Sequence, residues 1–349
     1  MGGYGKEERP DGTAALKQAL RNKTPGNFYI FFGEEAYLKA YYLDQLRRLL
    51  TEGPTEEFNF RSFDAETMQV EAFRDAVEAL PMMAERTMVF VDDIDLFKMN
   101  DSDRTRMAEI LSDLPDYCCV VLYYETVPFK PDRRQKKLCQ ALDRAEQVEF
   151  RKQSGRELTG WIRRHFRGRQ KEIDENLCQY LIFITGGGMT ALAAEIEKIA
   201  SYAEETRITK EDIDAVVEPV LDAAVFDITD AFAAGDFSRA LEKLRTVLRM
   251  QQEPIPVLGA IGAQMRRMRA AKLLAANGKG GDTLATLCGI SSYPAQKTMQ
   301  AAAHFSTEFC DKAVLLCTET DYQMKTSFDD PERLLELLIL KLAAEAEHG

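Results

Sequence analysis

Residues 28–39 read FYIFFGEEAYLK, a pattern that predicts a buried strand over 28–32, one glycine and then a helix. Phosphate-binding loops lie between a strand and a helix in this way. This loop does not suit phosphate, because Gly33 is followed by the carboxylates Glu34 and Glu35, and we expect no P-loop lysine or hydroxyl residue beside them. A carboxylate about 4 Å from a phosphate charge costs roughly 4 kcal/mol at an effective dielectric of about 20. The stretch therefore predicts a nucleotide-binding fold that binds no nucleotide here and has a mechanical or adhesive function.

Strands and helices alternate over the first 150 residues. The predicted strands are 28–32, 58–63, 88–91, 118–124 and 147–150, and the predicted helices between them are 34–50, 70–80, 101–111 and 133–142. Three of the strands are continuous apolar runs, which is typical of parallel strands covered on both faces. The alternation predicts a doubly wound α/β domain, which we place at 16–151 after a flexible N-terminal tail at 1–15.

After residue 150 the sequence favours helices alone. Ser154 and Glu157 have the spacing of a capping box before the first of them. Further helical patterns end at Glu218-Pro219, which suggests a hinge, and resume beyond it. We therefore predict a small helical domain over 152–218 and an all-α domain over 219–349.

Composition narrows the function classes. The 349 residues carry a formal net charge of −12, which argues against broad duplex binding through phosphate neutralisation but allows a local contact. The seven cysteines lie partly in apolar runs and have no metal-ligand spacing, so we expect reduced core residues, no metal and a cytoplasmic protein. No apolar run approaches the ~20 residues of a membrane span. No carboxylate cluster has the spacing of a nuclease or polymerase site.

Six segments of the chain resemble, in family order, the delta subunits of bacterial DNA polymerase III clamp loaders, an ATPase-inactive branch of the AAA+ clamp-loader clade. They are YIFFGEEAYL (29–38), FNFRSFDAE (58–66), ALPMMAERTMVFV (79–91), TALAAEIEKIASY (190–202), VFDITDAFAAGDFSRAL (225–241) and MKTSFDDPERLLELLIL (324–340). The resemblance implies a fold class of α/β plus all-α: a degenerate AAA+ parallel-sheet domain, a small helical lid domain and a C-terminal helical collar domain.

The resemblance also implies a function. Such a subunit binds the sliding clamp (beta) and opens the ring, so that it can be loaded on primed DNA during replication. It works in a hetero-oligomer with the gamma/tau and delta prime subunits, within the DNA-directed DNA polymerase III holoenzyme. It needs no cofactor and has no catalytic residue of its own.

Asp92 completes the predicted degenerate nucleotide site, with Gly33, Glu34 and Glu35. It follows the strand 88–91 and resembles, with Asp93, the acidic pair of an ATPase. Such an aspartate holds magnesium only together with a P-loop lysine and Ser/Thr, so we interpret Asp92 as a relic. Motor relatives place an arginine near the start of the helix that follows Gly188, where this chain has Met189 and Thr190. Two phosphate ligands are therefore expected to be missing.

The predicted clamp-binding segment follows the helix 70–80, whose apolar residues include Leu80. In the family this site carries a hydrophobic pair, often Leu-Phe, that fills a pocket on the clamp. This chain has Met-Met instead, and methionine suits an irregular protein pocket. The predicted clamp-binding residues are Leu80, Pro81, Met82 and Met83. From the residues alone, the alternative is that both methionines lie in the domain's own core.

Two regions are candidate DNA contacts. Arg266 and Arg267 lie in the basic stretch AQMRRMRAAK, for which a solvated helix surface is the alternative. Phe328 and Lys325 lie near a predicted turn, where the family can place an aromatic residue close to the primer–template junction. For Phe328 the alternative is a buried contact with the last helix.

Three other functions compete with a clamp-opening subunit. An active AAA+ ATPase with an unusual loop would hydrolyse ATP by itself. A delta-prime-like stator would also lack ATPase activity, but that family carries zinc-binding cysteines and a Ser-Arg-Cys segment, and this sequence has neither. A generic AAA+-derived scaffold would not bind the sliding clamp.

Overall fold

The computed structural model describes residues 12–51, 53, 55–250 and 253–348. The chain divides into two compact units, with the boundary between Gln153 and Ser154. Of the predicted tail at 1–15, residues 1–11 lie outside the described residues, whereas residues 12–15 form the first turn of a helix.

The described residues of the first unit form a five-stranded sheet with helices. The strands are β1 (Phe28–Phe32), β2 (Phe60–Phe63), β3 (Thr87–Asp92), β4 (Cys118–Tyr123) and β5 (Glu146–Glu149). The helices are α1 (Gly12–Asn22), α2 (Ala36–Thr51), α3 (Glu56–Asn59), α4 (Val70–Glu78), α5 (Asp101–Ser112) and α6 (Lys136–Leu142). All neighbouring strands are parallel, in the order β2-β3-β4-β1-β5, which confirms the predicted parallel α/β domain.

The central strand β1 contributes side chains to both faces of the sheet, because successive residues of a strand point in opposite directions. Phe28 and Ile30 pack in one core together with Phe73 of α4. Tyr29 and Phe31 pack in the other core, which α2 also covers. The continuous apolar run of β1 is therefore explained by burial on both sides.

Two element boundaries differ from the sequence prediction near the candidate site. The strand predicted over 58–63 begins only at Phe60, because Phe58 and Asn59 end the short helix α3. The helix predicted over 70–80 ends at Glu78, and Leu80 lies outside it. Leu80 precedes Pro81, whose ring disfavours a helical conformation in the residue before it. Leu80 therefore does not share the buried face of α4.

The regular elements among the described residues of the second unit are helices, apart from one isolated bridge between Glu172 and Arg207. The helices are α7 (Gly155–Gly168), α8 (Glu175–Ile184), α9 (Met189–Tyr202), α10 (Lys210–Val216), α11 (Leu221–Ala233), α12 (Phe237–Arg249), α13 (Pro254–Ala276), α14 (Gly281–Cys288), α15 (Ser292–Ala303), α16 (Thr307–Thr326) and α17 (Pro331–His348). The predicted capping box of Ser154 and Glu157 is present at α7. The sequence analysis missed α1, α3 and α14; near α14, the helical patterns that it recognises stop at residue 277 and resume at residue 293.

One apolar core joins α11 to α17, with Leu244, Ile261 and Leu338 among its buried residues. Helix α8 packs against α11 and α15, and the rings of Phe183 and Phe226 lie 5.0 Å apart. The division of this unit at 218/219 stays a prediction. No single helix in the described part of the chain is both long and apolar enough to cross a membrane, although the bent pair α8 and α9 meets those criteria jointly.

Candidate functional site

The loop after β1 is packed against the end of β5. Gly33 has a φ of +113°, and a Cβ added there would lie 2.4 Å from the carbonyl oxygen of Phe150. The N–H of Glu35 donates a hydrogen bond to that same oxygen at 3.0 Å. Burial raises the pKa of the Glu35 carboxyl, although a hydrogen bond from the Tyr37 backbone and the charge of Lys152 oppose this shift, whereas Glu34 is exposed. Gly33 and the N–H of Glu35 therefore both contact Phe150 of the same unit.

Lys39 corrects the expectation that the loop lacks a P-loop lysine. Gly33 and Lys39 have the spacing of the first glycine and the lysine in G-x-x-x-x-G-K-[ST], with Leu38 and Ala40 at the second glycine and hydroxyl positions. Lys39 is 1% exposed, and its Nζ donates to the carbonyl oxygen of Tyr124 at 2.8 Å. The ammonium group is therefore engaged inside the unit.

Burial lowers the pKa of Lys39, although the carboxylates of Glu125 and Asp93 oppose this shift. Below its folded pKa the buried charge disfavours the folded state. As pH rises through the folded pKa, the folded chain loses this proton before the unfolded chain does, whose lysine pKa is about 10.4. The unfolded state then binds more protons, so the free energy of unfolding rises with pH.

We therefore expect the wild-type chain to gain stability relative to a Lys39→Met variant as pH rises from neutrality towards about 10, by at most about 1.4 kcal/mol per pH unit. Urea denaturation followed by circular dichroism measures this difference. The exposed Lys137→Met serves as the control, and its difference from wild type should stay constant. If the free energies of unfolding of wild type and Lys39→Met change in parallel with pH, the lowered pKa of Lys39 is contradicted.

The acidic pair after β3 has two different environments. Asp93, at a φ of +54°, accepts hydrogen bonds from the backbone N–H groups of Glu125, Thr126 and Val127 at 2.8–3.1 Å. Partial burial acts to raise the pKa of Asp93, but a hydrogen bond from the Thr126 hydroxyl together with these backbone bonds lowers it overall. Burial, then the neighbouring carboxylates of Asp93 and Glu125, raise the pKa of Asp92. Asp93 thus holds the turn after β4.

The segment between α4 and β3 forms an exposed apolar tip. Leu80 is 77% exposed, Met82 49% and Met83 91%, while Pro81 is half-buried. The alternative in which both methionines fill the domain's own core therefore does not hold. We call residues 80–83 the tip.

The segment that carries the tip is anchored at three places. At its start, the hydroxyl of Tyr117 donates to the carbonyl of Glu78 at 3.0 Å. At its end, the Arg86 guanidinium donates to the carbonyls of Pro25 and Gly26 at 2.7 and 3.0 Å. Between these points, the side chains of Asn59, in α3, and Thr55, which precedes α3, form hydrogen bonds with the backbone of Met82. The tip is therefore both exposed and held.

Sequence reasoning missed two residues beside the tip. Phe58, at 57% exposure, is a large apolar side chain on the surface of α3, and Asn59, at 1% exposure, bonds Met82. Both were assigned to a strand. The sequence signal for Asn59 is an asparagine between two phenylalanines of an apolar segment. A buried asparagine at such a position needs hydrogen-bond partners.

The candidate DNA contacts lie in two separate places. Phe328 is fully exposed, which excludes the buried alternative, and Lys325 forms an ion pair with Asp321 at 2.7 Å. Arg266 is exposed, whereas Arg267 lies 3.9 Å from Asp222.

Helices α13 and α16 run antiparallel, with Gly262 beside Cys317 and Arg269 paired with Asp311. The two arginines therefore lie beside the first half of α16, roughly 20 Å in helix length from the turn that holds Phe328. The structure does not bring the two candidate regions together.

Comparison with known proteins identifies the family. A model described as "DNA polymerase III, delta subunit" matches residues 29–151, and one described as "DNA polymerase III delta subunit, C-terminal domain" matches residues 222–342. The chain belongs to the DNA polymerase III delta-subunit family. DNA polymerase III subunit delta of Bacillus subtilis (strain 168) is 24% identical over 325 residues, or 91% of this chain and 93% of the relative. The probable delta subunit of Aquifex aeolicus (strain VF5) is 20% identical over 314 residues, or 88% of each chain.

A solved structure shares the fold of this delta-family chain. It is the Bacillus subtilis DNA clamp loader delta protein (YqeN), with a TM-score of 0.58, 23% identity, and coverage of 95% of this chain and 99% of that one. The resemblance inferred from the six sequence segments is confirmed, as is the α/β plus all-α fold class. As a DNA polymerase III subunit, the chain is part of an enzyme complex.

Proposed function

We propose that the chain binds the sliding clamp through Leu80, Pro81, Met82 and Met83 and opens the ring, without hydrolysing ATP. The observation that carries this proposal is the tip itself: three large apolar side chains exposed on an anchored segment, in a member of the delta-subunit family. An exposed apolar cluster of this kind marks a protein-binding surface. Its expected target is an apolar pocket on the clamp.

Opening a ring requires only that the chain bind the open form more tightly than the closed form. Moving that equilibrium from 1:99 to 99:1 takes a preference of about 5.5 kcal/mol. Full burial of each apolar side chain at an interface is worth about 1.5–3 kcal/mol. Burial of the two methionines together with Leu80 supplies an energy of this size when the contacts form with the open ring and not with the closed one, so no covalent chemistry is needed.

The loop after β1 supports the proposed lack of ATP hydrolysis. Its glycine packs against Phe150, its lysine is bonded inside the unit, and its next two residues are carboxylates. ATP would act from neighbouring gamma/tau subunits by exposing or hiding the tip. As part of the same proposal, the chain assembles with the gamma/tau and delta prime subunits, acts on primed DNA and is located in the cytoplasm.

The experiment is ring unloading. We expect the isolated chain, without ATP, to bind the clamp and to release closed clamps from nicked circular DNA, measured by gel filtration. Release by a stator-like subunit would not occur, and a scaffold would not bind the clamp at all. ATP hydrolysis by the isolated chain that an Asp92→Asn variant lacks would support the ATPase alternative instead.

We also propose a DNA contact at Phe328 during loading. A fully exposed phenylalanine in the turn between α16 and α17 has a free ring face on which a base can stack. Lys325 lies three residues earlier at the end of α16, and because its ion pair with Asp321 is on the surface, its ammonium group could exchange that carboxylate for a DNA phosphate. Because Arg266 and Arg267 lie elsewhere on α13, we assign them a lesser part in this contact.

A further inference from the structure

The backbone of Met82 is held by one buried side chain on both of its hydrogen-bonding groups. The N–H of Met82 donates to Oδ1 of Asn59 at 2.7 Å, and Nδ2 of Asn59 donates to the carbonyl oxygen of Met82 at 2.9 Å. The two residues are 23 positions apart in the chain. The Asn59 carboxamide therefore replaces the backbone partner that this part of the segment lacks.

Thr55 completes the arrangement. Its hydroxyl donates to the same Met82 carbonyl at 2.9 Å, and Nδ2 of Asn59 also donates to the carbonyl of Thr55 at 3.1 Å. Because Asn59 is 1% exposed, its amide orientation is fixed by these bonds rather than by solvent. Asn59 and Thr55 together form what we call the latch.

The residue after the latched one has an unusual backbone. Met83 has a φ of +51°, a left-handed conformation that residues with a Cβ adopt only when surrounding contacts enforce it. This conformation accompanies the 91% exposure of the Met83 side chain. A free segment of this sequence would relax to an extended or right-handed backbone and present the side chain differently.

We propose that Asn59, assisted by Thr55, is a positioning residue that holds the tip in its binding conformation before the clamp arrives. This inference rests on the proposed clamp-binding function and adds to it the residue that prepares the site. Ordering a flexible residue on binding costs roughly tenfold in the binding constant for each residue fixed. When Asn59 and Thr55 hold Met82 in the free chain, this loss of conformational entropy occurs during folding and not during clamp binding.

The test uses the full-length chain with Asn59→Ala. We expect its affinity for the sliding clamp to fall by about tenfold to a hundredfold, which corresponds to ordering one or two residues. In the free variant, hydrogen exchange of the Met82 amide, which donates to Asn59 in the wild-type chain, should speed up, while the amides of α4 and β3 keep their protection. A residue that acted only through global stability would not change exchange of that amide alone.

Two further variants guard against loss of folding. Thr55→Val keeps the side-chain shape but removes the hydroxyl, and it should weaken clamp binding by a few-fold. Asn100→Ala is the matched control, since it removes an asparagine side chain that caps α5 in the same unit but lies away from the tip. It should leave clamp affinity unchanged.

The outcomes separate this inference from the proposed function. If Met82→Ser with Met83→Ser weakens clamp binding but neither Asn59→Ala nor Thr55→Val does, the latch is overturned and the clamp-binding tip stands. If the methionine variant binds as wild type does, the tip is not the binding site and both proposals fall. Weaker binding of the latch variants together with faster exchange of the Met82 amide supports the inference.

Discussion

Replacing Met82 and Met83 together by serine should weaken binding of the sliding clamp by about two to four orders of magnitude. Each buried methionine is worth about 1.5–3 kcal/mol, and every 1.4 kcal/mol is about a tenfold change in the dissociation constant. Serine removes the apolar surface while keeping a side chain that tolerates exposure. Because both methionines are exposed in the free chain, the substitution should leave the free energy of unfolding nearly unchanged.

Titration of the labelled clamp with each variant measures this effect. Leu287→Ser is the matched control, because Leu287 is an exposed apolar residue at 65% exposure on α14 in the other unit. Its substitution should leave clamp affinity at the wild-type value. An unchanged affinity for the double methionine variant would remove the site assignment, and an equal loss in the control would show that any exposed apolar side chain contributes.

Gly33→Ala should reduce the free energy of unfolding of the first unit by about 3–5 kcal/mol. A positive φ in a residue with a Cβ costs of order 1–3 kcal/mol. The added Cβ would also lie 2.4 Å from the carbonyl oxygen of Phe150, which belongs to the backbone and cannot rotate away. Both costs come from the added Cβ atom. To relieve the close contact, the loop after β1 must move away from Phe150 at the end of β5.

Amide exchange in β1 and β4 measures this loss in the first unit, since the chain's single tryptophan, Trp161, lies in the second. Gly53→Ala is the control that separates backbone conformation from the clash. Gly53 has a φ of +148° and no atom within 4 Å of its Cβ position, so its cost should be only the conformational part. Equal losses for the two variants would contradict the close packing of Gly33 against Phe150.

The regular elements were predicted well where local periodicity reports burial. The apolar runs of β1 and β4 and the amphipathic α4 bury the residues that their patterns predict. Helix α14 was missed because only Leu284 in it is buried and glycines precede it, so it lacks a clear apolar face. Its existence depends on packing against α13 and α15 rather than on its own sequence.

The site was predicted less completely, for reasons of distance along the chain. The apolar pair was visible as Met82-Met83, and its exposure follows from the end of α4 before Pro81. The contact between Asn59 and Met82 joins residues from separate segments, and no local pattern records it. Lys39 was overlooked because it stands inside an amphipathic helix, where lysine is ordinary.

The early start of α2 bears on whether point changes could create a phosphate-binding loop here. In a nucleotide-binding loop the helix follows the whole G-x-x-x-x-G-K-[ST] motif. Here α2 begins at Ala36, the fourth motif position. Helical backbone therefore occupies the residues that would form the anion-binding loop. Changing Leu38 to glycine and Ala40 to threonine would complete the motif in the sequence without providing its anion-binding loop. A phosphate-binding loop at this position would need an insertion, not a pair of point changes.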